Sequence, residues 1–312
     1  MAESEISRER SRLRADLIGE LAPVEILHPP GTFALTPASR IGLEAIARNA
    51  HLLSGTGLDW GSGTGCLAIV AAKRPAVTRV VGLEIEPANV AMARENARHN
   101  AVHHKTLFLH ADSYRPFSPG DAGELDTLRG AVDFILANPP SSEGDDGFEF
   151  RRVVMRGAGE FLKPGGVTFL NVSLQYGAAR VEQIARECPE FHCEGVLAST
   201  GWVPFDLARP DLLDCLELYA RCEREGGPEY SFPSGDSPGK WMNAQVALER
   251  FRVTGESPLT KWQTLLFRRK PRETRESRPQ GKSGGTAPGT PGSEDLRLTR
   301  SAIMNVVIDI IR

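Results

Sequence analysis

The chain has 312 residues, of which 40% are hydrophobic and 25% are charged, an ordinary composition for a globular protein. Its formal net charge of -3 gives no overall basic field for binding nucleic acid, although a local basic patch is compatible with it. No apolar run reaches the roughly 18 residues of a membrane span, and the charged first residues lack the apolar centre of a signal peptide. These features predict an intracellular, cytoplasmic protein with one large domain and some additions.

The cysteines and histidines show no metal-ligand spacing. There are five cysteines, an odd number, and no C-x-x-C pair occurs among them. Cys188 and Cys193 are too isolated in the sequence to indicate zinc, so we expect reduced thiols and no metal. His103, His104 and His110 are predicted to be surface residues.

The first 50 residues predict a helical segment followed by a loop. Leu13, Leu17 and Leu21 recur at helical spacing, which predicts an amphipathic helix over residues 7–21. Residues 28–39 are rich in proline and glycine and are expected to form a loop. The pair Thr36 and Pro37 is a typical helix start, so a second helix is predicted over residues 37–49.

A glycine-rich loop between a strand and a helix is the stretch around which the chain is organised. Residues 56–60 predict a short buried strand, and residues 66–72 predict an apolar helix. Gly61, Gly63 and Gly65 lie between them. Glycine adopts backbone angles forbidden to other residues and lets a ligand approach the main chain closely. A helix amino terminus beside such a turn makes a ligand cradle at the carboxyl end of a parallel strand.

Strands and helices alternate through the next hundred residues. Further strands are predicted over residues 79–83, 106–110, 132–137 and 167–172, and helices over residues 87–100, 150–162 and 178–186. Strands separated by such helices specify right-handed crossovers and a mostly parallel sheet. The predicted fold class is therefore α/β, a Rossmann-like doubly wound sheet. Residues 215–220 and 263–267 are expected to be antiparallel strands that close its edge.

The remaining segments complete the predicted domain plan. Residues 225–239 are expected to be an insertion, and residues 241–251 a helix. Residues 271–295 are rich in Arg, Ser, Gly, Pro and Thr and predict a disordered linker. Residues 296–312 are apolar again and predict a docking helix or an added strand. The expected plan is an N-terminal helical segment and covering loop (1–50), a catalytic domain (51–270), the linker and this C-terminal segment.

The spacing of the glycines distinguishes between ligands. A dinucleotide fold has G-x-G-x-x-G and receives a pyrophosphate, whereas here the pattern is G-x-G-x-G with Asp59 two residues before it. This stretch resembles the first motif of the class I S-adenosylmethionine-dependent methyltransferases. The resemblance implies that Asp59 reaches the amino group of S-adenosylmethionine, directly or through water. It also implies that the three glycines let the methionine part and the ribose pass, while Ser62 either contributes its hydroxyl or only shapes the turn.

The resemblance extends to the segment before the cofactor strand. In some methyltransferase relatives a Pro-Gly-x-Phe segment closes over the methionine end of the cofactor. Phe33 and Thr36 are candidates for that role here, and a packed loop is the alternative.

Two further acidic positions follow predicted strands. Glu84 lies 19 positions after Gly65, close to the spacing of roughly 20 expected for an acidic ribose clamp. A carboxylate accepts two hydrogen bonds at once, which suits the ribose diol, and Glu86 is the near alternative. After the third strand, the resemblance implies that Asp112 accepts from the adenine amino group and that Ser113 contacts the ring through its N–H. A turn-forming Asp is the alternative interpretation.

The sequence Asn138-Pro139-Pro140 indicates the reaction class. It resembles the Asn-Pro-Pro-aromatic signature of the small-domain methyltransferases that act on planar nitrogens. The resemblance implies that the Asn138 side chain, also adjacent to the cofactor, and the Pro139 carbonyl each accept an N–H of the acceptor, while the prolines fix the turn. Position 141 is Ser where the signature has an aromatic residue. Phe148, Phe150 or Tyr176 are candidates to replace it.

Together these motifs predict an S-adenosylmethionine-dependent N-methyltransferase that acts on a protein side-chain amide or an RNA base. Its expected partners are that acceptor and the cofactor, without a metal or a membrane. A methyltransferase for another small-molecule or protein acceptor is one alternative. A non-catalytic cofactor-binding scaffold is the other.

Overall fold

The computed structural model describes residues 9–234 and 239–271. Its strands, in chain order, are β1 (Arg10–Leu13), β2 (Val24–Leu27), β3 (Gly55–Trp60), β4 (Val77–Glu84), β5 (Thr106–Asp112), β6 (Arg115–Pro116), β7 (Val132–Ala137), β8 (Leu162–Asn171), β9 (Phe191–Ser199), β10 (Val203–Pro204), β11 (Phe232–Pro233), β12 (Trp241–Met242), β13 (Leu259–Thr260) and β14 (Gln263–Arg269). Its helices are α1 (Ala15–Ile18), α2 (Pro37–Arg48), α3 (Cys66–Ala72), α4 (Pro87–His99), α5 (Pro119–Asp126), α6 (Glu149–Phe161), α7 (Gly177–Glu187), α8 (Pro210–Arg224) and α9 (Ala244–Thr254), with short 3-10 helices at Ala50–Leu52 and Leu174–Tyr176.

An eight-stranded sheet in the order β6-β5-β4-β3-β7-β8-β14-β9 forms the centre of the molecule. Strands β5, β4, β3, β7 and β8 are parallel, whereas β14 runs antiparallel to both of its neighbours. The chain builds outward from β3 through β4 and β5, and then crosses to β7 on the other side of β3. The strand order therefore reverses between β3 and β7, which is where open α/β sheets bind their ligands. The predicted α/β doubly wound fold is confirmed.

Apolar side chains on both faces of the sheet hold the layers together. Along β7, Phe134 and Leu136 pack in the cluster formed with α2, α3 and α4. Their alternating neighbours Ile135 and Ala137 pack in the cluster with α6 and α8. Because successive strand residues point to opposite faces, an apolar run of this kind is buried on both sides. This double burial fixes the carboxyl ends of the strands rigidly beside one another.

The predicted helix over residues 7–21 is wrong for most of the residues that the structure describes. Residues 10–13 form β1, which pairs antiparallel with β2, and only Ala15–Ile18 is helical. Burial follows a period of two here, since Ser11 and Leu13 are buried while Arg10 and Arg12 are exposed. The leucine spacing favoured a helix because it ignored these intervening polar positions.

The predicted closing strand over residues 215–220 is also wrong. This segment lies in α8, where Leu216, Tyr219, Ala220 and Glu223 are buried at helical spacing. The strand that flanks β14 is instead β9. The predicted strand over 263–267 is confirmed as β14, and the predicted helix over 241–251 begins later, at α9, whose first turn is capped by Asn243.

Some predictions fall where no structure is described. The linker beyond residue 271 and the apolar segment over 296–312 lie outside the described residues. Within the described part, no helix is long and apolar enough to cross a membrane.

Candidate active site

A cavity of about 1370 Å³ opens at the carboxyl ends of β3, β4, β5 and β7. Single small-molecule sites usually enclose roughly 300 to 1,000 Å³, so this cavity has room for two ligands side by side. Its walls include nearly all the predicted site residues. These are Asp59, Gly61, Ser62, Gly63, Glu84, Asp112, Ser113, Asn138, Pro139 and Pro140. The structure thus brings together side chains from four separate strand ends.

The three glycines of the loop have different surroundings. All have positive φ angles, at 65° for Gly61, 53° for Gly63 and 88° for Gly65. A Cβ at Gly61 would meet no atom of the described residues within 4 Å, so among them this position is open to a ligand. A Cβ at Gly65 would lie 3.0 Å from the Phe108 ring and 3.1 Å from the Ala93 side chain. Gly65 therefore lies beneath the loop, away from the cavity wall, and serves helix packing.

Asp59 has a buried carboxylate oxygen that accepts no hydrogen bond from the described residues. Its side chain is 1% exposed, and Oδ2 accepts a hydrogen bond of 2.9 Å from the Ala68 N–H at the start of α3. Among the described residues, Oδ1 has no hydrogen-bond partner. Burial, with a smaller contribution from the nearby Glu84 charge, raises the pKa of Asp59 to about 8. An unpaired buried carboxylate is costly, so this position favours a cationic ligand group.

Glu84 links the end of β4 to the glycine loop. Its Oε2 accepts from the Gly63 N–H at 2.7 Å, and its Oε1 accepts from the Glu86 N–H at 2.9 Å. Asn89 also donates to Oε1, at 3.3 Å. Oε1 thus accepts twice, whereas Oε2 accepts once and retains one lone pair for a ligand. The alternative residue, Glu86, is exposed and is not part of the cavity wall.

The predicted adenine site lies at the end of β5. Asp112 is exposed and lines the cavity, and Ser113 follows it with a φ of 56°. The Ser113 hydroxyl accepts from the Trp60 indole N–H at 2.8 Å. This bond joins the ends of β3 and β5 across β4. It holds the turn in an otherwise rare conformation for a residue other than glycine.

Phe33 forms a cover over the loop. Its backbone N–H donates to Asn89 Oδ1 at 2.8 Å, and its carbonyl accepts from the Thr64 hydroxyl at 3.2 Å. Its ring is 42% exposed and lies over Gly63, where an added Cβ would come within 2.9 Å of it. Thr36 caps α2 through Ser39 and also lines the cavity. Both residues line the cavity, and their role in covering a cofactor stays a prediction.

The Asn138-Pro139-Pro140 turn is held by residues outside its own strand. Asn138 Oδ1 accepts from Asn171 Nδ2 at 2.8 Å, and Asn138 Nδ2 donates to Ser39 Oγ at 3.3 Å. The Arg151 guanidinium, 4% exposed, donates to the Pro139 carbonyl at 2.9 Å and to the Pro140 carbonyl at 3.0 Å. A carbonyl oxygen has two lone pairs, so Pro139 retains one for a ligand.

The loop after this turn is tied to the segment between β9 and β14. The Asp146 carboxylate accepts from Arg152 at 2.8 Å and from Arg180 at 3.0 Å. Burial opposes ionisation of Asp146, but the two guanidiniums outweigh it and hold the pKa of Asp146 below its usual value. Arg180 also donates to the carbonyls of Pro228 and Glu229. These bonds give the loop one fixed position beside the cavity.

Aromatic residues surround Ser141, but they differ in where they face. Phe148 is completely buried, and Phe150, 36% exposed, packs on Trp60 with ring centroids 5.9 Å apart. Tyr176 lines the cavity and donates to the Gly147 carbonyl at 2.9 Å. Tyr219, from α8, donates to the Tyr176 hydroxyl at 2.9 Å. Of the three candidates, Phe150 and Tyr176 thus reach the cavity wall.

Several site residues escaped the analysis of the sequence. Asn89, Arg151 and Asn171 donate hydrogen bonds to predicted site residues. Helix α8 contributes Cys215 and Tyr219 to the cavity wall. Asn171 ends β8, so the rule that strand ends carry the site was a usable signal for it. The residues of α8 had no such signal, because residues 215–220 were predicted to form a strand.

The donor set fits an organic cation better than a metal. The described residues contain no group of three His, Cys, Asp or Glu side chains that could hold a metal ion. The unpaired Asp59 Oδ1 and the buried, unpartnered Ser62 hydroxyl both belong to the cavity wall. A ligand with an ammonium group and hydroxyls satisfies both. The five cysteines, all in the described part, are free thiols.

The reversal of strand order, the glycine loop and the acidic strand ends define the Rossmann-like class I S-adenosylmethionine-dependent methyltransferases. A family model described as "Methyltransferase small domain" matches residues 23–191. The chain belongs to this family, and S-adenosylmethionine is its cofactor.

The relatives with known activities cover part of this chain. The release factor glutamine methyltransferase of Geobacter sulfurreducens is 33% identical over 148 residues, which are 44% of this chain and 50% of that protein. The enzyme of the same name from Vibrio cholerae is 27% identical over 57% of this chain and 54% of its own length. This chain therefore spans about half the length of these relatives.

Two other matches have different names. The ribosomal protein L11 methyltransferase of Dechloromonas aromatica is 40% identical over 121 residues, which are 38% of this chain and 36% of that one. Among solved structures, the T. thermophilus 16S rRNA N2 G1207 methyltransferase, in complex with AdoMet and guanosine, is 25% identical with a TM-score of 0.46. That match covers 61% of this chain and 48% of the other.

Proposed function

We propose that this protein transfers a methyl group from S-adenosylmethionine to a planar nitrogen, in a protein side-chain amide or an RNA base. One observation carries the proposal. The unpaired buried oxygen of Asp59 and the acceptor oxygens of Asn138 and Pro139 line one continuous cavity. The first group suits the cofactor's ammonium, and the others suit an acceptor N–H.

On the cofactor side, each strand end takes one part of the ligand. Asp59 accepts from the ammonium, and Glu84 accepts from a ribose hydroxyl with the lone pair that Oε2 retains. Asp112 and the Ser113 N–H meet the adenine edge. Gly61 leaves the space through which the methionine part passes, and Gly63 makes room for the Phe33 ring above it. The Ser62 hydroxyl bonds to the methionine part. Phe33 covers this end and excludes water.

On the acceptor side, the chain orients a poor nucleophile. The cofactor would supply an electrophilic methyl group: its S–C bond breaks as the N–C bond forms, S-adenosylhomocysteine leaves, and the acceptor nitrogen gives up one proton to water. Asn138 Oδ1 and the Pro139 carbonyl each accept one N–H of the acceptor and thereby favour the positive charge that grows on its nitrogen. Pro139 and Pro140 restrict the turn, and Arg151 holds both carbonyls in place. Fixed alignment of this kind is a large part of the catalysis expected for a direct transfer.

The names of several relatives support a macromolecular acceptor. They include enzymes named for a release factor glutamine, a ribosomal protein and a guanine N2 of 16S rRNA. A glutamine amide and an exocyclic base amine share the planar, delocalised nitrogen that Asn138 and Pro139 suit. We accordingly propose residues 51–270 as the catalytic domain and residues 1–50 as the segment that covers the cofactor.

A survey of acceptors tests the proposal. The full chain is incubated with tritiated-methyl S-adenosylmethionine and with separate protein, RNA and small-molecule fractions of a cell extract. We expect label in one fraction with the wild type and at least about 100-fold less with Asn138→Ala. The Glu86→Gln variant is the matched control and should label at the wild-type rate. S-adenosylhomocysteine binding by calorimetry checks that Asn138→Ala is folded.

The outcomes separate the rival functions. Label in small molecules alone identifies another acceptor class. Cofactor binding without label in any fraction identifies a non-catalytic scaffold. Equal labelling by wild type and Asn138→Ala removes Asn138 from the mechanism.

A further inference from the structure

Asn171 lies at the end of β8 with its side chain against Asn138. It is 5% exposed and uses its polar atoms fully. Its Nδ2 donates to the Ala38 carbonyl and to Asn138 Oδ1, both at 2.8 Å. Its Oδ1 accepts from the Thr264 hydroxyl at 2.5 Å.

These bonds determine which way the two amides face. The Ala38 oxygen is a backbone carbonyl and can only accept, so the Asn171 atom that meets it must be the NH2 group. That NH2 group also meets Asn138, so the Asn138 atom on that side must be its oxygen. The Ser39 and Thr264 hydroxyls can donate or accept and decide nothing. The orientation of Asn138 therefore follows from the Ala38 carbonyl through one intermediate side chain.

The orientation matters because the two ends of an amide have opposite character. With Oδ1 toward Asn171, the second lone pair of that oxygen is available to an N–H beside the Pro139 carbonyl. A rotation of about 180° about χ2 would present the NH2 group there, and two donors would face each other. Amide oxygen and nitrogen have nearly the same shape, so packing alone does not choose between the two states.

We propose that Asn171 is a positioning residue that sets the amide orientation of Asn138 and thereby makes the acceptor oxygen available. This inference rests on the proposed function, in which Asn138 accepts from the acceptor nitrogen. It assigns to β8 a part in catalysis that the Asn138-Pro139-Pro140 motif does not contain.

A double-mutant cycle tests it. The probe is the cell fraction that the wild type labels in the acceptor survey. Asn171→Leu removes both donors, and we expect kcat to fall about tenfold while the KM for S-adenosylmethionine stays within about twofold. In the Asn138→Asp background both terminal atoms are acceptors, so orientation no longer matters. There, Asn171→Leu should change kcat by less than about threefold.

A matched control isolates orientation from packing. Thr264→Val removes the other side-chain bond of Asn171 but leaves the Ala38 carbonyl in place, and kcat should stay within about twofold. If Asn171→Leu does not fold, the smaller change Asn171→Ser replaces it in the cycle. Equal losses from Asn171→Leu in both backgrounds, or an unchanged kcat in the wild-type background, would overturn the proposal.

A direct measurement keeps this test separate from the proposed function. If Asn138→Ala labels at the wild-type rate, or if no fraction is labelled, the proposed function has failed and kinetics has no bearing on Asn171. Neutron diffraction of the deuterated full chain then shows the amide deuterium atoms themselves. Deuterium on Asn171 directed at the Ala38 carbonyl supports the assigned orientation, and the opposite arrangement refutes it.

Discussion

The strongest quantitative expectation concerns the proton on Asp59. The pKa of this carboxyl is raised to about 8 by burial, so at pH 7 about 0.9 of it is protonated. The cofactor's ammonium would bond the unpaired Oδ1 and favour the ionised form. Binding of S-adenosylmethionine should therefore release close to one proton per site at pH 7.

The same carboxyl affects the stability of the ligand-free protein. Its pKa is above the unfolded value of 3.8, so the folded state holds the proton over a range where the unfolded state has lost it. The contribution of Asp59 to the free energy of unfolding therefore decreases as the pH rises from about 4 to about 8. At about 1.36 kcal/mol per pKa unit, the total loss is on the order of 5 kcal/mol.

Asp59→Asn is the informative substitution. The amide oxygen can still accept from the Ala68 N–H, so the start of α3 keeps its bond. The NH2 group replaces the unpaired oxygen and faces the ammonium as a second donor. We expect the variant to be more stable than the wild type at pH 8, with a flatter pH profile, and to bind the cofactor at least about 100-fold more weakly.

Calorimetry in two buffers of different ionisation enthalpy measures the proton count. We expect release of about 0.9 proton from Asp59 in the wild type at pH 7, and none from the variant. Methylthioadenosine, which lacks the amino-acid part, is the matched ligand and should bind without proton release. The reasoning fails if the wild type releases no proton, or if both proteins release the same number.

Three further predictions concern the neighbouring residues. Glu84→Gln should weaken S-adenosylmethionine binding at least about tenfold by calorimetry, because it loses a charged acceptor, whereas Glu86→Gln should leave it unchanged. Gly63→Ala should weaken cofactor binding about tenfold. Gly165→Ala, at a distant position that also has a positive φ, is its control, and each variant should lose about 1 kcal/mol of stability on thermal unfolding. Equal cofactor affinities of the two variants would contradict this prediction. Asp146→Asn should lose roughly 3 kcal/mol of stability at pH 7, since two guanidiniums lose their anion. The difference in stability between the wild type and this variant should disappear as the pH falls below about 4, because the pKa of Asp146 is depressed in the folded state. A difference that persists in acid denaturation curves would refute the ionised state of Asp146.

The centre of the fold was predictable because its signals are local. A run such as residues 132–137 is apolar except for Asp133, which indicates a strand buried on both faces, and it coincides with β7. The glycine loop imposes backbone angles that few other residues adopt, so Gly61 and Gly63 mark the turn directly. Glu84 could then be located by counting from that loop.

The outer elements were less predictable because their burial depends on distant partners. Leu13 is consistent with a helix when its spacing to Leu17 is counted, but β1 forms because β2 offers a strand to pair with. Residues 215–220 are apolar apart from Glu217, which is compatible with a strand. They form a helix instead, in which the Tyr219 ring stacks on the ring of Tyr230, with centroids 4.1 Å apart, from within the segment expected to be an insertion. No local pattern reports such a contact.

Within the site, the sequence identified residues that line one cavity, but not the side chains that hold them in place. Asn138 was evident from its two prolines. Arg151 and Asn171 bond to that turn from α6 and β8, and their distance along the chain hid the connection.

The position of β14 has a consequence for biosynthesis. This strand enters the sheet between β8 and β9, both of which leave the ribosome before it, and it carries Thr264 to Asn171. A nascent chain stalled before residue 263 would have β8 and β9 without the strand that joins them. We therefore expect the acceptor half of the site to mature late during translation, whereas the half built from β3, β4 and β5 can form while synthesis is still under way.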